Sequence, residues 1–296
     1  MGYLFMAVVL AAWTGVAFLY RWAAARQANR LFMGFSMGVA GTLCVLGYVF
    51  FAGIHLAQAS ANQIGAGVLL SVLAAAGIPI FMAAVSRGDL SITWTVLSLS
   101  FALAAALSMI YPGERVTPLG VIGLVLAAVA VALLGLDMYE RHQGEGASKP
   151  RKGWGLFIGI SFVNNALSMY GYKLAAHWQP DRNPAHNAAF LLTMYVLFAV
   201  WSLPLALATR KTGSIAAGLG IGLIAGVVLL AGGLFSLFAL DTGVPGCILF
   251  PTTTGGSNVF VVVLSLVFLK ERPGRWGWPG LAAGLAALVC LACAAS

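Results

Sequence analysis

Apolar positions follow one another almost without a break along this chain, and polar ones collect in short intervals between. A helix rises 1.5 Å per residue, so roughly 20 apolar residues cross about 30 Å of hydrocarbon. Ten runs of that length can be read: Gly2–Tyr20, Leu31–Ala52, Ile64–Val85, Ile92–Tyr111, Pro118–Leu136, Trp154–Ala175, Asn187–Ala208, Ile215–Leu240, Gly246–Leu269 and Trp276–Ala295. The pattern predicts an all-α integral membrane protein with ten transmembrane helices. Its function should be one that such a bundle performs: moving a molecule across a bilayer, or acting on one dissolved in it.

The longest polar interval is Asp137 to Gly153, DMYERHQGEGASKPRKG, near the midpoint of the chain. It divides the runs into two sets of five. The sets resemble each other. AAVSRGDLSITW at 83–94 lies over FALDTGVPGCIL at 238–249, with Gly88 on Gly243. GERVTPLGVIGL at 113–124 lies over KERPGRWGWPGL at 270–281, which pairs Glu114-Arg115 with Glu271-Arg272 and Gly123 with Gly280. Tyr20 to Ala24 matches Tyr172 to Ala176. The offsets differ by only a few residues. The expected organisation is a first five-helix repeat over 1–137, a cytoplasmic linker over 138–153 and a second repeat over 154–296. Five spans per repeat force the second copy to cross in the opposite sense. Inverted repeats are a mark of secondary transporters.

Composition sharpens this picture. Hydrophobic residues make up 61% of the chain and charged ones 8%, with mean hydropathy +0.95; a water-facing surface needs far more charge. The net charge of +8 would suit nucleic acid, but its distribution does not. With the N-terminus outside, the inside loops hold thirteen Lys and Arg, and the outside loops hold only Arg115, Lys173 and Arg182. Lys and Arg favour the cytoplasmic side, so both termini are expected on the other face of a plasma or bacterial inner membrane, and no nucleic-acid partner is expected. The first run has no basic segment before it and is long enough to span, so it reads as a helix rather than a cleaved leader. Cys290 and Cys293 have C-x-x-C spacing but sit among Leu and Ala with no His nearby, so they read as small buried thiols.

Two five-helix repeats, each with a short Glu-containing loop (GER at 113–115, KER at 270–272) before a Gly-rich last helix, resemble the EamA-type branch of the drug/metabolite transporter superfamily. The resemblance implies a ten-helix carrier that exports or exchanges small metabolites through a central cavity. It also implies a contrast. The related small multidrug exporters carry a Glu in their first helix, whereas GYLFMAVVLAAWTGVAFLY has none.

Catalysis has little to work with. The eight carboxylates lie in loops or at run ends, and His55, His142, His177 and His186 lie in loops. No run holds paired carboxylates or a metal-binding His pair. No enzyme activity, metal or cofactor is expected. Glu114 and Glu271 open the last helix of each repeat; they read as a gate or solute contact at the membrane surface or, more simply, as carboxylates that favour the helix N-terminus.

Polar groups inside the runs are the candidates for solute binding. The ninth run, GCILFPTTTGGSNVFVVVLSLVFL, carries Pro251, Gly255 and Gly256 beside Thr252, Thr253, Thr254, Ser257 and Asn258. A Pro/Gly-interrupted helix near the midplane points to a transporter site. The sixth run carries Asn164 and Asn165, and the repeat partner of Asn165 is Trp13, followed by Thr14. The fourth run, partner of the ninth, offers Thr93, Trp94, Thr95, Ser98 and Ser100; Trp94 serves either the site or the membrane interface. The expected site is thus drawn from runs one, four, six and nine. Amides, hydroxyls and indoles suit a neutral or zwitterionic, amino acid-like metabolite moved by alternating access. The alternatives are a multidrug or cation exporter, which the missing carboxylate disfavours, and a lipid-modifying intramembrane enzyme. The expected partners are a small-molecule solute and lipid, with the chain a monomer or homodimer.

Overall fold

The structure, a computed structural model, describes residues 1–85, 87, 96–97, 99–115, 117–143, 152–181, 183–208, 212–268 and 274–294. Among these residues the regular structure is helical, and the only β-type pairing is a single bridge between Ala28 and Ser214. The helices are α1 (Gly2–Ala25), α2 (Arg30–Phe51), α3 (Ala61–Val85), α4 (Ser100–Ile110), α5 (Pro118–Gln143), α6 (Trp154–His177), α7 (Pro184–Ala208), α8 (Ile215–Asp241), α9 (Gly246–Phe250), α10 (Gly256–Phe268) and α11 (Gly277–Ala294). A π turn over Pro251–Gly255 joins α9 to α10. Six of these helices, α1, α2, α3, α5, α7 and α8, are long and apolar enough to cross a membrane.

The helices overlie the apolar runs, with ends displaced by a few residues. The fourth run is described as helix over Ser100–Ile110, and its start, with Thr93, Trp94, Thr95 and Ser98, lies outside the described residues. α5 continues past Asp137 to Gln143, into the segment read as linker.

The chain sorts into two compact units, one of Met1–Pro79 with Gly171–Gly243, the other of Ile80–Tyr170 with Val244–Ser296. Each draws helices from both halves of the sequence. In the first unit, α2 packs against α7 and α8, and α1 against α8. Glycines allow the close approach: a Cβ on Gly226 would meet the Met37 carbonyl at 2.6 Å, and one on Gly38 would meet the Ala199 nitrogen at 2.7 Å. Lipid is as apolar as these side chains, so close packing of small residues supplies attraction that water would otherwise supply. The starts of α2 and α8 are tied together. Asn29 caps α2 by accepting from the Leu31 and Phe32 N–H groups, and its amide donates to the Thr212 carbonyl at 2.6 Å. Ser214 caps α8, and the Asn29 N–H donates to the Ser214 carbonyl at 2.9 Å.

In the second unit, α5 packs along α11, and α4 packs against α9 and the π turn. Asp137, buried near the end of α5, accepts the N–H groups of Gly274, Trp276 and Gly277 and so caps α11. One turn on, Glu140 pairs with Arg275 and accepts the Trp276 indole N–H at 2.9 Å. The Arg275 hydrogen bond, then that of Trp276, holds the Glu140 carboxyl below its ordinary value.

Candidate functional site

The polar residues of the second unit come from three elements. α4 supplies Ser100, fully buried at the start of its described stretch. α6 supplies Asn165 and, one turn later on the same face, Met169. The Asn165 amide donates to Ser100 Oγ at 2.7 Å. The π turn supplies Thr254, whose hydroxyl faces Met169 Sδ at 4.0 Å. Asn258 follows one turn on, and its Nδ2 is buried with no partner, as is Thr252 Oγ1. Burying an unpaired polar group costs about 1–3 kcal/mol, so both atoms are open to a bound molecule or water.

The π turn has a local cause. Pro251 has no N–H to give, which breaks the i to i−4 ladder, and Gly255 and Gly256 tolerate the widened turn. Thr253 bonds back within the helix, its hydroxyl donating to the Leu249 carbonyl at 2.7 Å. Pro251, Gly255, Gly256 and Val259 face α5 and α11 around a cavity of about 10 Å³, room for one water-sized group.

The structure therefore separates the residues named from sequence. Asn165 and Thr254 reach neighbouring elements, while Thr252 and Asn258 present unpaired atoms. Thr253 and Ser257 bond back to their own helix, Ser257 Oγ to the Thr254 carbonyl at 2.8 Å. Asn164 is half-buried, and its carbonyl accepts the Ser168 hydroxyl at 2.8 Å. Trp13 and Thr14 belong to the first unit; Thr14 is buried and donates to the Leu10 carbonyl at 2.8 Å. Trp94, Thr95 and Ser98 lie outside the described residues, as does Glu271. The reading of Glu114 as a cap needs correction, because the helix is a different one. Thr117 caps α5 through the Gly120 N–H, and Glu114 instead accepts the Gly246 and Cys247 N–H groups at 2.8 and 2.9 Å, at the start of α9.

No family model matches the chain, and no curated protein does. The chain is similar in fold to a solved structure. That structure, described only as "Crystal structure of protein", has a TM-score of 0.74 at 13% identity, over 99% of this chain and 97% of the other. A likeness at that identity carries the fold alone.

A second polar cluster, in the first unit, went unnoticed in the sequence. The pattern of runs places His186 in a loop; it sits instead in the first turn of α7 and is 2% exposed. Its Nδ1 accepts the Ser60 N–H at 3.2 Å and its Nε2 faces Asp181 at 2.9 Å. Next to it, Asn187 donates to Asp241 at 2.7 Å and accepts from Gln179 at 2.5 Å. Gln63, fully buried, donates to the Ala175 carbonyl at 2.8 Å. The available signal was Asn183-Pro184, an N-cap followed by a proline at the first helical position, which starts α7 three residues before the run. Among the described residues no group of His, Cys, Asp and Glu is placed to hold a metal ion.

Proposed function

We propose that this chain is a secondary transporter of the EamA type, carrying a small neutral or zwitterionic, amino acid-like metabolite across a plasma or bacterial inner membrane. The observation that carries the reading is a Pro-broken helix that buries Thr252 Oγ1 and Asn258 Nδ2 without partners, in the unit where Asn165 meets Ser100 and Thr254 meets Met169. Irregular backbone at membrane depth is tolerated where it is buried in protein or lines a cavity. The groups present are amides and hydroxyls. They offer hydrogen bonds to a carboxylate, an ammonium or a carbonyl, and no fixed charge to a polyanion. The inverted repeat is supported by packing within the units: α2 lies on α7, α4 on α9 and α5 on α11, each helix against the one the repeat matches to it. A lipid-modifying enzyme gains no support, since the site groups include no acid, base or nucleophile pair.

The test is counterflow in proteoliposomes over a panel of L-alanine, L-serine, L-threonine, L-glutamine, choline and a lipophilic cation. Saturable exchange of a zwitterion supports the reading. Exchange of the cations alone moves it to a drug exporter, and no exchange of any member overturns it.

A further inference from the structure

We propose that Glu114 is the clamp on one end of this solute site, a positioning residue that must release α9 for solute to pass that end. The proposal rests on the transporter reading. Glu114 leaves the end of α4, the helix that carries Ser100. Both of its carboxylate oxygens hold the start of α9, 132 and 133 residues away in sequence. α9 leads directly into the π turn and α10, which carry Thr254 and Asn258. The third site element is tied to the same stretch: the Tyr170 hydroxyl, in the second half of α6, donates to the Tyr111 carbonyl at 2.9 Å, three residues before Glu114. Three hydrogen bonds thus tie the stretch that follows α4 to α6 and to the start of α9.

Two features make this a clamp rather than an ordinary cap. First, α5 already has Thr117 as its own cap, so Glu114 is not needed there. Second, α9 is five residues long, fixed at one end by Glu114 and bounded at the other by the π turn, which ends on Gly255 with Gly256 directly after it. A π turn is a natural place for a helix to bend. α9 is therefore a short lever: with the clamp closed it stays seated, and with the clamp open it swings about Pro251–Gly255 while α10 keeps its packing. The first N–H groups of a helix lack internal partners. Gly246 is buried, so without the carboxylate its N–H needs water, and that end of the site opens to supply it.

Cys247 reports the state of the clamp without any solute. It is fully buried, while Cys44 and Cys290 are half-buried and Cys293 is exposed. In full-length chain with Cys44→Ser, Cys290→Ala and Cys293→Ser, the rate of N-ethylmaleimide addition to Cys247 is followed by intact mass in detergent. Glu114→Gln keeps the shape but loses the charge-assisted pair, and labelling should rise about tenfold. Glu114→Asp should retain part of the protection, and Tyr170→Phe should raise labelling by a smaller factor. Glu140→Gln, which cuts a solvent-exposed pair, should leave the rate unchanged. Labelling that stays slow in both folded Glu114→Gln and Tyr170→Phe proteins overturns the clamp, and so does an equal rise in Glu140→Gln. Since no solute is added, this result stands apart from the counterflow panel. Counterflow that fails while labelling behaves as stated removes the transporter reading and solute passage with it, and leaves Glu114 as the hold on α9.

Discussion

Thr253 and Asn258 carry similar polar groups on the same broken helix, yet they do different work. Thr253 is 2% exposed and spends its hydroxyl on the Leu249 carbonyl one turn back in its own helix. Thr253→Val keeps the shape and removes the donor, so a buried carbonyl loses its bond at about 1–3 kcal/mol. Thermal unfolding should show that loss, and the folded fraction should bind solute like the parent; weakened binding at unchanged stability would instead place Thr253 at the solute. The sequence could nominate both residues as polar groups in an apolar run. It could not say which was already satisfied, because that depends on the ladder defect at Pro251. The same holds for Asn165. Its partner Ser100 is 65 residues away, and no local pattern links the two.

At the level of helices, the apolar runs marked most elements well because hydrocarbon imposes a length and excludes charge. The misses fall at the ends. α7 starts at Pro184 and brings His186 indoors, and α5 runs on to Gln143, which lets Asp137 and Glu140 reach the start of α11. These ends are set by capping partners distant in sequence, so run length does not reveal them. Helix pairing is set by where glycine permits approach. Gly226→Ala would drive a methyl to 2.6 Å from the Met37 carbonyl of α2, whereas a Cβ at Gly220, on the same helix, meets nothing within 4 Å. The first substitution should lower stability by about 1–3 kcal/mol through overpacking. The second should raise it by about 0.5–1 kcal/mol, the helix propensity gained over glycine. Melting temperatures of the two variants check the pair, and equal shifts would mean that α2 and α8 do not pack closely at Gly226.

Across the whole molecule, the sequence supports helices in a membrane and suggests a duplication, but it does not say how the helices are shared. The two compact units each mix helices from both halves, because helices distant in sequence pack on one another: α2 on α7 and α8, α1 on α8, and α5 on α11. Orientation is predicted by charge: with ten spans, thirteen of sixteen Lys and Arg fall on one side, which places the termini outside. A cysteine placed at Ser60 should react with an impermeant reagent applied from outside, and one at Ser148 should not; the reverse pattern would invert the topology. The solute site itself is tested by affinity. The zwitterion with the strongest counterflow is titrated in detergent against Asn165→Ala, Thr254→Ala, Asn258→Ala and, as a control in the first unit, Thr42→Val, whose hydroxyl bonds only its own helix at Gly38. Losing a used hydrogen bond costs about 1–3 kcal/mol, roughly 5- to 150-fold in Kd. The three site variants should weaken binding within that range and Thr42→Val should not. Parental affinity in all three folded site variants would mean that the solute binds elsewhere and that these side chains are polar only for packing.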